Sequence, residues 1–342
     1  MAPTSSILWI HPHLDTSPEG QVTSNRPCAR LRGLSLGATL RERGLRIRDV
    51  SIHRASEWVD DARAGAYQCL VVGKAFKDLS GVAKAVRVRG GKVVVDLCDN
   101  VFAPPEDGLL PIYRKLFPEC DAVVAATPIL AEVARKHVPP RVKVFSITDT
   151  YEGPERPAAA WDGQQQLRLL WFGYPNNLPL LLPRLEDLSR LGGAFDVALS
   201  VVTLWTPALL KRCPDEVNGM KVSKIPWSLA AQERALDACH IVLIPSDDSP
   251  ARLTKTANRV ITSLRAGRYP VAHPLPSYEE FRFAAGLDRD IVRAIQWAVD
   301  HPPDVLARIT AGQSYLRERF APSLIATQWE EMLRQTLLQL SQ

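Results

Sequence analysis

The sequence predicts an α/β protein made of two doubly wound, Rossmann-like parallel domains in tandem, facing a cleft and closed by a C-terminal helix. Three observations predict it. Short Val- and Ile-rich runs alternate with stretches long enough for a helix. The alternation stops at a Pro/Ala/Gln-rich stretch over residues 155–166 and starts afresh beyond it. The chain has 342 residues, and at roughly 150 residues per domain that length allows two separate cores. Strands that alternate with helices imply parallel sheets, because parallel neighbours need a crossover connection.

Residues 7–11 predict the first strand, and a polar loop follows. A helix is expected over 28–43, with Leu31, Leu34 and Ala38 at helical spacing and Gly44 as its stop. Strands at 45–52, 68–72, 92–97, 121–126 and 143–147 complete a first domain over 1–154. Residues 155–166 read as a linker. A second domain over 167–313 opens with a strand at 167–173 and a helix at 178–191, stopped by Gly192 and Gly193. It continues with a strand at 195–204, a short helix at 207–213, a strand at 220–225 and a helix at 230–239. A strand at 240–245, a helix at 255–268 and a strand at 269–272 follow. The tail, 314–342, is helical, with Leu316, Phe320, Leu324, Trp329, Leu333, Leu337 and Leu340 on one stripe, the last of which lies outside the residues the structure describes. Pro322 predicts a kink in it, and the helix is expected to cross between the domains.

Composition narrows the function classes. With 46% hydrophobic and 23% charged residues the chain is neither disordered nor fibrous. No run approaches the ~18 consecutive apolar residues of a membrane helix. The N-terminal apolar run is too short for a signal peptide, which points to a cytoplasmic protein, at most peripheral to the inner face of a membrane. Cys28, Cys69, Cys98, Cys120, Cys213 and Cys239 form no C-x-x-C pair, as expected for reduced thiols rather than a zinc site. The net charge of +5 favours anionic ligands or a weak association with an anionic membrane surface. Scattered arginines without interleaved aromatics argue against nucleic acid as a partner.

Ligands of open α/β sheets bind at the carboxyl ends of the strands. The most informative loop follows the strand at 240–245, where Ser246, Asp247, Asp248 and Ser249 precede a helix expected to open near Thr254–Thr256. Free N–H groups and the positive end of the dipole make such a start a phosphate site. Lys255 and Arg259, one turn apart, would add charge-assisted bonds, and Asn258 an amide donor. The plain alternative is a surface helix with ordinary cations. In the first domain, His13 is a candidate general base with Asp15 to orient it, and Asp99, near Asp96 at the fourth strand's end, is a second candidate. The plain alternative for the segment His11-Pro12-His13 is a surface turn. Asp247 and Asp248 invite a Mg²⁺ reading, since paired acids can hold it with phosphates.

The run Asn258-Arg259-Val260-Ile261-Thr262-Ser263-Leu264-Arg265-Ala266-Gly267-Arg268-Tyr269-Pro270-Val271 resembles a stretch of GT-B glycosyltransferases, particularly glycosyltransferase family 4. Leu236 to Pro245, Leu169 to Gly173, and Cys120 to Thr127 with Leu130 are similar to further motifs of that family, in the same order. The resemblance implies a nucleoside-diphosphate sugar donor held by the second domain and an acceptor, of unidentified kind, held by the first. It places Lys255, Thr256, Asn258 and Arg259 at the diphosphate and Gly173 where backbone approaches the donor. Tyr174, Asn177 and Ser246 would meet phosphate or sugar, and Trp227 would stack on the nucleobase. It also implies hexosyl transfer with no metal and no other cofactor. One departure matters: the pair of Glu residues that retaining members carry is Thr254 and Thr262 here. Thr262 makes only a neutral bond to a ribose hydroxyl, and Glu279 or Glu280 is a substitute candidate. The alternatives are a sugar-nucleotide epimerase, a two-domain solute-binding protein and a catalytically idle partner subunit.

Overall fold

The computed structural model describes residues 6–16, 21–103, 108–193 and 195–337. The chain divides into two compact units. Unit 1 comprises residues 1–152, 253–256 and 319–342; unit 2 comprises 153–252 and 257–318.

Unit 1 is built on six parallel strands: β1 (Ser6–His11), β2 (Arg46–Ser51), β3 (Cys69–Val72), β4 (Lys92–Leu97), β5 (Ala122–Ala125) and β6 (Lys143–Ser146). Their order across the sheet is β2-β1-β3-β4-β5-β6, so the winding reverses between β1 and β3. Side chains alternate between the two faces, because the strand period is two residues. Leu8, Ile10, Leu70, Val72, Val93 and Val95 enter one core. Ile7, Trp9, Cys69, Val71 and Val94 enter the other. That second core is closed by the helix Pro322–Leu337, whose Trp329 packs against Trp9 at 5.0 Å between ring centroids.

Unit 2 carries β7 (Leu167–Phe172), β8 (Val197–Thr203), β9 (Met220–Pro226), β10 (Ile241–Ile244) and β11 (Tyr269–Ala272). Their order is β9-β8-β7-β10-β11, all parallel, with short edge strands at Glu216–Val217 and Gly286–Leu287. Here the winding reverses between β7 and β10. The linker stretch is irregular but pinned within this unit. Arg156 bonds Glu233 and Asp237, and the Ala159 N–H donates to the Gly267 carbonyl. Gly267 ends the preceding helix at φ +68, and a Cβ there would stand 2.1 Å from the Pro157 carbonyl oxygen. Only glycine fits that helix end.

Four expected helices differ from the observed ones. The span 28–43 is interrupted by a wider turn at Arg30–Leu34 before the helix Ser35–Glu42. The span 178–191 is a chain of tight turns with one short helix, Leu185–Ser189, since Pro179 and Pro183 remove backbone donors. The helix expected to open at Thr254–Thr256 opens at Asn258 and runs to Arg265, with a separate turn at Pro250–Leu253 before it. Pro322 does not kink one long tail helix. It begins a new helix after Pro302–Arg319 has ended, because a proline is tolerated in a first turn.

Candidate functional site

The candidate positions lie at the carboxyl ends of the two sheets, and each is described within its own unit.

In unit 1, His11 ends β1 inside the core. Its Nε2 lies 2.6 Å from Asp49, which also pairs with Arg41. With the Asp49 charge already met by arginine, a neutral imidazole donating Nε2–H satisfies the contact. Burial pushes the ring down to about 3, so His11 is no base near neutrality. His13 and Asp15 are brought together as expected, with Nδ1 and Oδ2 3.3 Å apart, although the two are not aligned for a hydrogen bond. Both are accessible, His13 at 34% and Asp15 at 51%.

Asp96 is buried under Arg32, which grips it through two nitrogens at 2.6–3.1 Å and reaches Asp149 at 2.9 Å. Burial lifts the Asp96 carboxyl despite that pairing. Asp99 sits between two ammonium groups, Lys74 at 2.6 Å and Lys255. Burial alone would raise its carboxyl, but Lys255 and Lys74 hold it well below the carboxylate range. Asp99 is therefore a fixed anion and a poor proton acceptor, which corrects its expected role as a base.

Lys255 and Thr256 also depart from expectation. They do not share a helix face with Arg259, because the helix starts after them, and residues 253–256 group with unit 1. There the Thr254 carbonyl accepts from the Thr127 hydroxyl at 3.1 Å, Lys255 meets Asp99, and the Thr256 hydroxyl donates to Asp149 at 2.6 Å.

In unit 2, Gly173 follows β7 at the point where the winding reverses. Its carbonyl accepts from the Thr203 hydroxyl at 2.8 Å. A Cβ on Gly173 would stand 3.3 Å from the Trp171 ring and 3.7 Å from Arg259 Nη1. That Nη1 is buried, and Arg259 pairs with no carboxylate among the described residues. Arg259 is the second residue of the helix Asn258–Arg265, whose start has no side-chain cap. The N–H groups at the Asn258 end are thus left for another acceptor.

Two further arginines, which sequence reasoning missed, stand at the same ends. Arg184 donates through Nη2 to the carbonyl of buried Ser246 at 3.4 Å, while its buried Nε has no partner. Arg252 donates to the Asn177 side chain. The signal available was their charge, Arg184 falling in the turns after β7 and Arg252 in the turn after β10. Tyr174 immediately follows Gly173 and begins the tight turn Pro175–Leu180.

The remaining candidates are already engaged. Trp227, after β9, is half-buried and donates Nε1–H to Gln232 at 2.9 Å. Thr262 is half-buried in the middle of the Asn258 helix. Glu279 is exposed and pairs with Arg282 on its own turn, and Glu280 accepts from the Tyr315 hydroxyl at 3.0 Å. Asp248 meets His273 at 3.0 Å and Arg289 at 2.5 Å, and Asp247 accepts from the Ser249 N–H. Among the described residues, no three His, Cys, Asp or Glu side chains group so as to hold a metal ion. Nor is any described helix long and apolar enough to cross a membrane.

No family model matches this sequence, and no curated protein matches it. Solved structures do. A glycosyltransferase from Rickettsia africae is similar with a TM-score of 0.73 at 12% identity, over 98% of this chain and 99% of that one. HepE of Anabaena in complex with UDP-glucose is similar with a TM-score of 0.67 at 12% identity, covering 96% of this chain and 99% of that one. A sucrose-phosphate synthase from Thermosynechococcus elongatus gives 0.66 at 12% identity, over 97% and 98%. At such identities the likeness concerns fold: the chain has the GT-B glycosyltransferase fold, with two parallel α/β sheets.

Proposed function

We propose that this protein is a metal-independent glycosyltransferase that moves a hexosyl group from a nucleoside-diphosphate sugar to an acceptor. The observation that carries the reading is the buried, unpaired Nη1 of Arg259 beside Gly173, at the carboxyl end of β7. A guanidinium left without an anion in a protein interior is costly, and a bound phosphate removes that cost. In this reading the diphosphate lies against Arg259, Arg184 and the open start of the helix at Asn258. Those groups stabilise the charge that develops as the sugar–phosphate bond breaks. The donor role agrees with the UDP-glucose in the HepE structure. Unit 1 takes the acceptor, and His13, 3.3 Å from Asp15, removes the proton of its hydroxyl where the reaction inverts configuration. Lys255 and Thr256 hold residues 253–256 in place through Asp99 and Asp149. The charge of +5 fits an acceptor presented at an anionic surface.

The test is calorimetry and thermal shift with UDP, GDP, CMP, ADP and TDP and their sugars. One nucleoside diphosphate is expected to raise the melting temperature, since a ligand of the folded state stabilises it. Arg259→Ala is expected to weaken that binding about 10- to 100-fold, as for loss of a hydrogen bond to a charged group, with little change in stability. Equal affinity in variant and parent, or no binding across the panel, overturns the reading.

A further inference from the structure

In unit 2, the buried side-chain nitrogens without a partner among the described residues belong to Trp171, Arg184, Arg259 and His273. The first three can only donate a hydrogen bond. The fourth, Nδ1 of His273, is of the opposite kind.

His273 directly follows β11 and is 5% exposed. Its backbone N–H donates to the Ile244 carbonyl at 3.1 Å, which seats it against the end of β10. The ring reaches the loop that leaves β10, where Nε2 lies 3.0 Å from Asp248 Oδ1. The other Asp248 oxygen meets Arg289 at 2.5 Å. A carboxylate accepts, so Nε2 carries a proton and donates it. In the neutral ring Nδ1 is then a lone pair, closed off from solvent and met by no donor. An acceptor buried in that state is costly, and a ligand that donates to it removes the cost.

The same loop joins this atom to the arginines. Ser246, two residues before Asp248, is buried, and its carbonyl accepts from Arg184 at 3.4 Å. Strand β10 runs between β7, which leads into Gly173, and β11. Neighbouring strands are about 4.8 Å apart, so His273 stands one strand over from the end of β10, on the side away from Gly173.

A phosphate oxygen brings a lone pair of its own, whereas a hydroxyl brings a proton. We propose that Nδ1 of His273 accepts a hydrogen bond from a ring hydroxyl of the sugar-nucleotide donor, with Asp248 as the positioning residue that fixes the ring in that tautomer. This inference rests on the donor reading above and adds the residue that selects among donors. Hydroxyls flank the diphosphate on both sides, on the transferred sugar and on the ribose, and the measurement tells them apart. A donor that lacks the matching hydroxyl leaves the acceptor unmet and is rejected.

The experiment is calorimetry on the full chain with UDP, GDP, ADP and TDP, their glucose conjugates and inorganic pyrophosphate. His273→Gln keeps an amide N–H for Asp248 but has no counterpart of Nδ1. It is expected to weaken binding of the preferred nucleotide sugar about 3- to 10-fold, as for loss of one hydrogen bond, and to leave pyrophosphate affinity unchanged. Asp248→Ala changes a side chain that is 43% exposed, which spares the core. It is expected to give the same pattern at about 2- to 5-fold. If His273 only braced the loop, glutamine would serve as well as histidine. A loss confined to the nucleotide sugar assigns the hydroxyl to the transferred group, and an equal loss with the nucleoside diphosphate alone assigns it to the ribose. Parent affinity in both variants, or a loss that extends to pyrophosphate, overturns the proposal and leaves the Arg259 reading standing. No binding by the parent removes both.

Discussion

The two sheets are wound alike, and in each the winding reverses between central parallel strands, at β1/β3 in one and β7/β10 in the other. Their carboxyl ends differ in how charge is matched. In unit 1, Arg32 is met by Asp96 and Asp149, Lys74 and Lys255 by Asp99, and Arg41 by Asp49. In unit 2, Arg184 and Arg259 stand at the equivalent ends with buried nitrogens and no carboxylate partner among the described residues. The contrast separates charges the fold consumes from charges it leaves over. Buried ions that serve the fold arrive with their counter-ions in the same chain. Those left over are the groups we propose meet a phosphate.

The largest expected effect tests the matched side. Arg32→Ala strands Asp96 and Asp149 as buried carboxylates and is expected to cost about 3–5 kcal/mol in urea unfolding. A variant as stable as the parent would remove Arg32 from the class of structural charges. Acid comes next. His11 binds a proton near 6.5 when unfolded and only near 3 when folded. The unfolded chain therefore holds more protons between those values, and stability falls as pH drops from 6.5 towards 3. The slope from this one group approaches about 1.4 kcal/mol per pH unit. Unfolding curves of the parent and of His11→Asn at several pH values isolate it, and equal slopes in the two proteins would refute it. The smallest effect sharpens the unmatched side. Glu279→Ala removes an exposed acid paired with Arg282 and is expected to leave both melting temperature and nucleotide affinity unmoved in the calorimetric panel.

Much of the fold was legible because hydrophobic runs bounded by turn residues carry their own period. β4 and β11 match the expected spans residue for residue, and the parallel order follows from the crossovers between strands. Helix ends were harder to read. The span 178–191 has apolar spacing, yet Pro179 and Pro183 override it, and the turns that result place Arg184 beside Ser246. The helix at Asn258 opens one turn late because Thr254, Lys255 and Thr256 bond to residues far away in sequence. Those long-range partners leave no local mark. The pairing of Asp99 is equally invisible, since its lysines come from 74 and 255. Arg259, in contrast, was singled out by residue type and position, and Gly173 by the resemblance to GT-B glycosyltransferases.

One feature of the chain path bears on how the protein is made. The core of unit 1 is finished by Ile325, Trp329 and Leu333, which follow β1 in the chain only after the whole of unit 2. A ribosome therefore releases β1 long before the helix that covers its outer face exists. Until residue 337 emerges, Trp9 and its neighbours lack their cover. A fragment cut after residue 154 would inherit the same bare surface, so expressing the first half alone is expected to yield an aggregation-prone product.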